Sequence, residues 1–343
     1  MTRTKNLIAT NEHEWTRMKT GHLFVCIRVH SWPIILGVLL AAIPATAQKP
    51  WTVPRTPDGK PDLQGIWNNA TLTPMERPAQ YAGKATLSAQ EAVEFEKEEL
   101  GNVNADRRDG SSVTDVNRAY NEFWRDRGRI TPDRRTSLIV DPPDGRVPAL
   151  TPAAQRRAAD LAAKSRGHEF DGPESRSLAE RCIAVTNAGP PMMPANYNAN
   201  YQIVQSPGYV ALVSEQIHDV RMIPTDGRPH IPAEVRQLLG DARGHWEGNT
   251  LVVETTNFTD RTSFRVSGEH MRLTERFTRT GPATMLYEFT VDDPETFTRT
   301  WTARIPMTKA QGPLFEYACH EGNYGLAGSL AGARAEEAKA AKK

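Results

Sequence analysis

The chain carries no surplus of either charge: 42 Lys and Arg stand against 41 Asp and Glu, a formal net charge of +1 over 343 residues. That balance excludes a nucleic-acid binder working through a broad basic face. Cysteine is scarce, at three, and so is histidine, at nine, so each can be weighed singly. Several catalytic signatures are missing: a Gly-x-Ser-x-Gly elbow, a phosphate-binding Walker loop, a dinucleotide fingerprint, a Cys-x-x-Cys-His haem site and a His-Glu-x-x-His metal motif. Catalysis by scattered residues stays open. Long apolar runs are also lacking. The one apolar run of note, Pro33 to Ile43, has eleven residues, against the roughly 20 that a membrane-spanning helix needs.

That run is followed by Ala45-Thr46-Ala47, a small-x-small cleavage site, and preceded by Lys19 and Arg28. Residues 1–47 therefore read as a secretory signal peptide. Glu12 and Glu14 make the extreme N-terminus too acidic for a signal, which favours Met18 as the true start. No Cys follows the cleavage site and no twin arginine precedes the apolar run, so export of an unfolded chain without a lipid anchor is expected, to the periplasm or beyond. Cleavage leaves 296 residues and removes five basic and two acidic side chains, turning the charge slightly negative. Cys182 and Cys319 then remain in an oxidising compartment. A disulfide is the default reading, with a reactive or metal-bound thiol as the alternative.

The 25 prolines and 24 glycines mark many turns. Residues 48–61 should be extended, and residues 62–326 form one domain. Ser88-Ala89-Gln90-Glu91 is a capping box that opens a helix, and Thr151-Pro152 opens another reaching about Ser165. A short helix is expected at Glu174–Cys182. A short strand near Thr136–Asp141 completes a helical insertion of about residues 88–182. After Pro194 the pattern turns to β. Strands are predicted at Tyr201–Gln205, Tyr209–Ser214, Thr250–Thr256, Met271–Phe277, Thr284–Val291, Phe297–Ile305 and Leu314–Cys319, with a helix at Pro232–Leu239. The alternation of Met285, Tyr287, Phe289 and Val291 against Leu286, Glu288 and Thr290 marks antiparallel strands with one buried face. Evenly spaced strands of this kind close into a barrel or stack as a sandwich. Residues 327–343 can form at most a solvated terminal helix.

Charged residues on the apolar side of a strand need partners. Glu275 interrupts Met271, Leu273 and Phe277, and Arg299 interrupts Phe297, Trp301 and Ile305. Pointing inward, the two could pair across a lumen or anchor a ligand; alternatively Arg299 reaches solvent from a strand end. Glu215, His218 and Arg221 follow the apolar strand Val210–Val213, where a carboxylate holding a His in one tautomer would make a general base; the plainer reading is a surface hydrogen-bond network. His320 and Glu321 follow the last predicted strand. With His218 they could hold a divalent metal, a minor alternative given the absence of a close-spaced motif. No cofactor is otherwise predicted.

The first predicted strand, Gly65-Ile66-Trp67, resembles the Gly-x-Trp signature of lipocalins and related calycin barrels. Three longer stretches, Pro61–Trp67, Gly240–Phe258 and Tyr317–Glu321, together with Thr274-Glu275-Arg276-Phe277, resemble a family of exported bacterial proteins of uncharacterised activity. His245 departs from the Arg expected there. The resemblance implies export and a single fold, and it carries no activity.

These readings converge on a mainly β protein with peripheral helices, an antiparallel calycin-like barrel. The preferred function is an exported enzyme acting by acid–base hydrolysis or elimination on a small or oligomeric organic substrate at the barrel mouth. Glu215, His218, His320 and Glu321 would be catalytic, with Arg221, Asn257, Glu275, Arg299, Trp301 and Tyr287 binding substrate. The alternatives are a binding protein for an apolar or aromatic ligand, its lumen lined by Tyr287, Phe289, Trp301 and Phe315, and a structural envelope protein.

Overall fold

The computed structural model describes residues 51–111, 121–261 and 264–342. The expected signal peptide lies outside them. Nine antiparallel strands form a nearly closed barrel, and a tenth, short strand pairs with one of them off that path. In chain order the strands are β1 (Gly65–Asn68), β2 (Ile139–Asp141), β3 (Asn200–Ser206), β4 (Tyr209–Ser214), β5 (Val220–Pro224), β6 (Asp241–Glu247), β7 (Thr250–Thr256), β8 (Arg272–Gly281), β9 (Thr284–Asp292) and β10 (Trp301–Lys309). The sheet order is β5-β4-β3-β1-β10-β9-β8-β7-β6, and β2 pairs with β10 beside β1. β5 and β6 approach each other at the seam without ladder hydrogen bonds. There Gly244 of β6 lies so close to β5 that a Cβ would stand 2.9 Å from Ile223 Cγ2.

The α-helices among the described residues are α1 (Ala89–Asn102), α2 (Pro152–Ser165) and α3 (Tyr324–Ala340). The Ser88 capping box forms as expected, with Glu91 N donating to Ser88 Oγ at 3.2 Å and Ser88 N donating to Glu91 Oε2 at 2.8 Å. Thr151 Oγ1 caps α2 by accepting from Ala154 N. α1 buries only Ala92 and Phe95, in a small cluster with Leu87 that is separate from the barrel core.

Inward residues of the strands fill the barrel. Trp67, Trp301, Tyr287, Phe258, Phe277, Phe289 and Phe297 are all fully buried, and each such side chain contributes roughly 2–3 kcal/mol through the area it removes from water. The rings interlock edge to face, Phe289 on Trp301 at 5.6 Å and Phe297 on Trp301 at 5.9 Å. Trp67 Nε1 donates to Leu63 O at 2.8 Å, and the Arg279 guanidinium lies over its ring. The interior is therefore a packed core, which corrects the expectation of a ligand chamber lined by Tyr287, Phe289 and Trp301.

Three predicted elements are absent. Leu314–Cys319 is irregular: both edges of β10 are already taken, by β9 on one side and by β1 and β2 on the other. Phe315 is consequently exposed rather than luminal. Pro232–Leu239 forms turns, and the helix expected at Glu174–Cys182 is reduced to turns and a 3-10 turn at Pro173–Ser175. The disulfide between Cys182 and Cys319 is present, with a Cα–Cα distance of 5.8 Å.

Candidate functional site

The two ends of the barrel differ. One end closes in tight hairpins at Ser206–Tyr209, Glu247–Thr250 and Gly281–Thr284. By antiparallel register the other end collects the longer connections, residues 215–219, 257–271 and 293–300. Long loops on a rigid scaffold are where binding residues concentrate, and most of the residues nominated from sequence lie at this end.

Inside the barrel, Arg221 of β5 meets Glu275 of β8. Nη1 donates to Oε1 at 3.0 Å and Nη2 to Oε2, with a longer bond from Nη2 to Thr255 Oγ1 at 3.4 Å. Tyr287 Oη donates to Glu275 Oε1 at 2.8 Å and accepts from Met192 N at 2.9 Å. Glu275 is fully buried and Arg221 is 8% exposed. Burial, reinforced by the Glu275 charge, pushes the Tyr287 phenol well above its ordinary pKa, so it stays a neutral donor. Burial also lowers the tendency of Arg221 to hold its charge, but Glu275 outweighs it and raises the guanidinium further. Glu275 does point inward, as the alternation required, but its cation is Arg221. Arg299 precedes β10 and pairs on the surface with Asp141 at 2.8 Å, a correction to the cross-lumen pairing. Both Glu275 oxygens, both Arg221 Nη atoms and the Tyr287 hydroxyl are spent internally, so the cluster straps β5 across the lumen to β7 and β8.

The acid–base quartet is not brought together. Glu215 is buried, but Oε2 accepts from Asn200 Nδ2 at 2.8 Å and Oε1 from Phe315 N at 3.1 Å. It fastens the C-terminal segment to β3. His218 is exposed in the left-handed turn Ile217–His218 and makes no bond to Glu215. His320 and Glu321 are exposed in a turn ahead of α3. His218, His320 and Glu321 do not gather as metal ligands, and among the described residues no group of three His, Cys, Asp or Glu does. Asn257, with φ of 57°, donates to the carbonyls of Ile231, Pro232 and Val235 and so pins the loop before β6. Trp301 and Tyr287 belong to the core.

A groove of about 1250 Å³ lies instead outside the barrel, between α1, the segment 126–135 and the outer faces of β9 and β10. Its floor is the cross-strand pair Leu286 and Pro306, flanked by Thr284 and Thr308. Val93 of α1, 68% exposed, lines it from the helix. The charged groups around it are mostly engaged. Glu96 accepts from Ile130 N at 3.0 Å, and Asp126 accepts from Asn68 Nδ2 and Gly128 N. Asp133 holds Arg135, while Arg134 Nε donates to Leu87 O. Although burial raises the Asp133 carboxyl, hydrogen bonds from Thr131 and Arg135 overcome this and hold it below its ordinary pKa. The Arg129 side chain is exposed, and among the described residues its guanidinium makes no hydrogen bond or ion pair.

The sequence reading missed this groove. Its signal was present in Leu286 and Pro306, apolar residues on the polar side of two strictly alternating strands. A partly exposed apolar patch on an otherwise polar sheet face calls for an occupant.

No protein-family model matches this chain, and no curated protein matches it in sequence.

Proposed function

We propose that the protein is an exported binding barrel that holds an elongated, largely apolar carboxylate in the outer groove. The apolar body would lie on Leu286, Pro306 and Val93, with the carboxylate at Arg129. The observation that carries this reading is the groove itself, large enough for a drug-sized or fatty ligand, with Arg129 as its unengaged cation. The disulfide supports delivery to an oxidising compartment, and the nearly closed antiparallel barrel fits the resemblance to calycins. An acid–base reading finds less support, because both oxygens of Glu215 accept structural hydrogen bonds.

The test is calorimetric titration with straight-chain carboxylates of increasing length, beside an alkylammonium of equal length. A fully buried methylene is worth about 0.8 kcal/mol, or about fourfold in affinity; in a groove open on one side, about twofold per methylene is expected. Arg129→Gln should weaken carboxylates about two- to fivefold, as befits an exposed charge, and leave the alkylammonium unchanged. Leu286→Asp should abolish the length dependence. Affinity that does not grow with chain length, or that survives Leu286→Asp, sinks the proposal.

A further inference from the structure

The outer face of the sheet changes character around the barrel. On β6, β8, β9 and β10 the outward positions carry charge, Arg243, Arg276, Glu288 and Arg304 among them, and Arg276 pairs with Glu247 and Arg304 with Glu288 over that surface. On β3, β4 and β5 the single charged residue, Arg221, points into the barrel. What faces outward there is apolar. Val204, Ala211 and Met222 stand side by side in one cross-strand row, and Val213 and Val220 in the next. Val204 is 43% exposed, Val220 52% and Met222 56%. Cross-strand neighbours at this spacing form one continuous apolar surface, and β5 in particular shows its apolar residues and hides its charge, the inverse of a strand that faces water. A contiguous exposed apolar face of this kind marks an interaction surface.

The rim and the area indicate the partner. Asp219 flanks the face at one end and the Asp226–Arg228 pair at the other, with the Arg228 guanidinium 5.1 Å from the Tyr209 ring centroid. An apolar centre within a polar rim of both signs is the anatomy of a protein contact; a membrane-docking face is instead bordered by an excess of Lys and Arg. In a two-fold contact the same surface meets itself, so a charge near the axis would confront its like. This face has none. β3, β4 and β5 have seven, six and five residues, which at a strand spacing of about 4.8 Å and a rise of about 3.4 Å per residue gives a face of roughly 15 by 20 Å. That is small against the about 800 Å² per partner of a standard interface, so the contact is reversible and not obligate.

We infer that this face is where two copies of the chain meet, the outer surface of β3, β4 and β5 packing on the same surface of the second copy in a weak two-fold dimer. It lies apart from the carboxylate groove and does not rest on that reading.

The experiment is analytical ultracentrifugation of the intact exported protein from about 1 to about 300 µM, the range in which a small interface associates. The weight-average mass should climb from that of a monomer towards twice that value, and NaCl at about 1 M should not reverse the rise, since no ion pair holds the centre of the contact. Met222→Glu and Val204→Glu should each weaken association at least tenfold, because one substitution puts a carboxylate on both sides of the interface. Leu161→Glu, at an equally exposed apolar position on α2, should leave it unchanged. Each variant is judged on protein with native circular dichroism, and Val220→Lys replaces either that does not fold. The inference is overturned if the protein stays monomeric throughout, if high salt dissolves the dimer, if the folded variants associate as the wild type does, or if Leu161→Glu disrupts association equally. Uptake of the monomer by phosphatidylglycerol vesicles that Met222→Glu abolishes would assign the face to a lipid surface and overturn it too.

Discussion

Replacing Arg221 by Met removes the guanidinium bonded to the fully buried Glu275, leaving that carboxylate with Tyr287 as its remaining partner among the described residues. Breaking a buried pair from one side costs about 3–5 kcal/mol, because the surviving charge is left uncompensated. Glu275→Leu should cost a similar amount, and it also strips the acceptor from the Tyr287 hydroxyl, which is left facing apolar neighbours. The double variant, Arg221→Met with Glu275→Leu, buries no charge at all. Its loss should be no more than the about 1–3 kcal/mol of an unsatisfied Tyr287 O–H, smaller than that of either single variant. Adding Tyr287→Phe should recover none of that, because it also takes away the acceptor of the buried Met192 N. Urea unfolding with a shared m value measures all four, and the coupling follows from the cycle. If the double variant loses the sum of the two singles, the two residues act independently and the strap across the lumen is wrong.

Three further outcomes follow from particular contacts. Asp219 has a buried oxygen without a partner, and burial raises its carboxyl pKa despite His218. A raised folded pKa means that its favourable contribution holds below the unfolded pKa and is lost as pH climbs through the folded value. Asp219→Asn should therefore raise stability at pH 7 by about 0.5–1 kcal/mol, a figure kept small because solvent reaches part of the side chain. The gain should disappear in urea midpoints measured near pH 3. Gly244→Ala gains strand propensity but drives a methyl to within 2.9 Å of Ile223 Cγ2 and 3.0 Å of Thr225 Cγ2; a net loss of about 1 kcal/mol is expected in thermal unfolding, and none would mean that the seam is loose. The Cys182–Cys319 bridge spans 137 residues, so Cys182→Ser with Cys319→Ser should cost about 4–5 kcal/mol by the chain-entropy argument, read by denaturant unfolding of folded, native-like protein.

The strands that the sequence revealed carry strong apolar patterns. Thr284–Asp292 buries Met285, Tyr287, Phe289 and Val291 in strict alternation, Tyr209–Ser214 buries Val210 and Leu212 at the same spacing, and Thr250–Thr256 carries the continuous buried run Leu251–Val253. β5 and β6 were missed for opposite reasons. In β5 the exposed residues are Val220 and Met222 while Arg221 is buried, the inverse of the usual pattern. In β6 the inward positions are Ala242, Gly244 and Trp246, of which only Trp246 is a large apolar marker. Both flank the seam, where side-chain contacts replace the ladder on one side, and local patterning is a poor guide where an inward position carries a charge paired across the lumen or a glycine. The same limit explains the site residues: alternation found Glu275 inside but offered Arg299 as its partner, because nothing local marked Arg221 as inward. Leu314–Cys319 alternates well enough to pass for a strand, yet both edges of the preceding strand, β10, were already taken.

The position of β1 has a consequence for the order in which the molecule can be made. It is the first barrel strand to be synthesised, and in the finished sheet it sits between β3 and the last strand, β10. A chain that has emerged only as far as β9 can pair its hairpins but cannot close, since one side of β1 still waits for its neighbour. Non-local pairing of this kind delays commitment to the native state until the C-terminal strand arrives. Cys319 lies beyond β10, so the bond to Cys182 comes later still. Oxidation of that pair in newly exported protein, followed by thiol trapping over time, would act as a clock for barrel completion, and a chain stalled before β10, which does not yet carry Cys319, would keep the Cys182 thiol free.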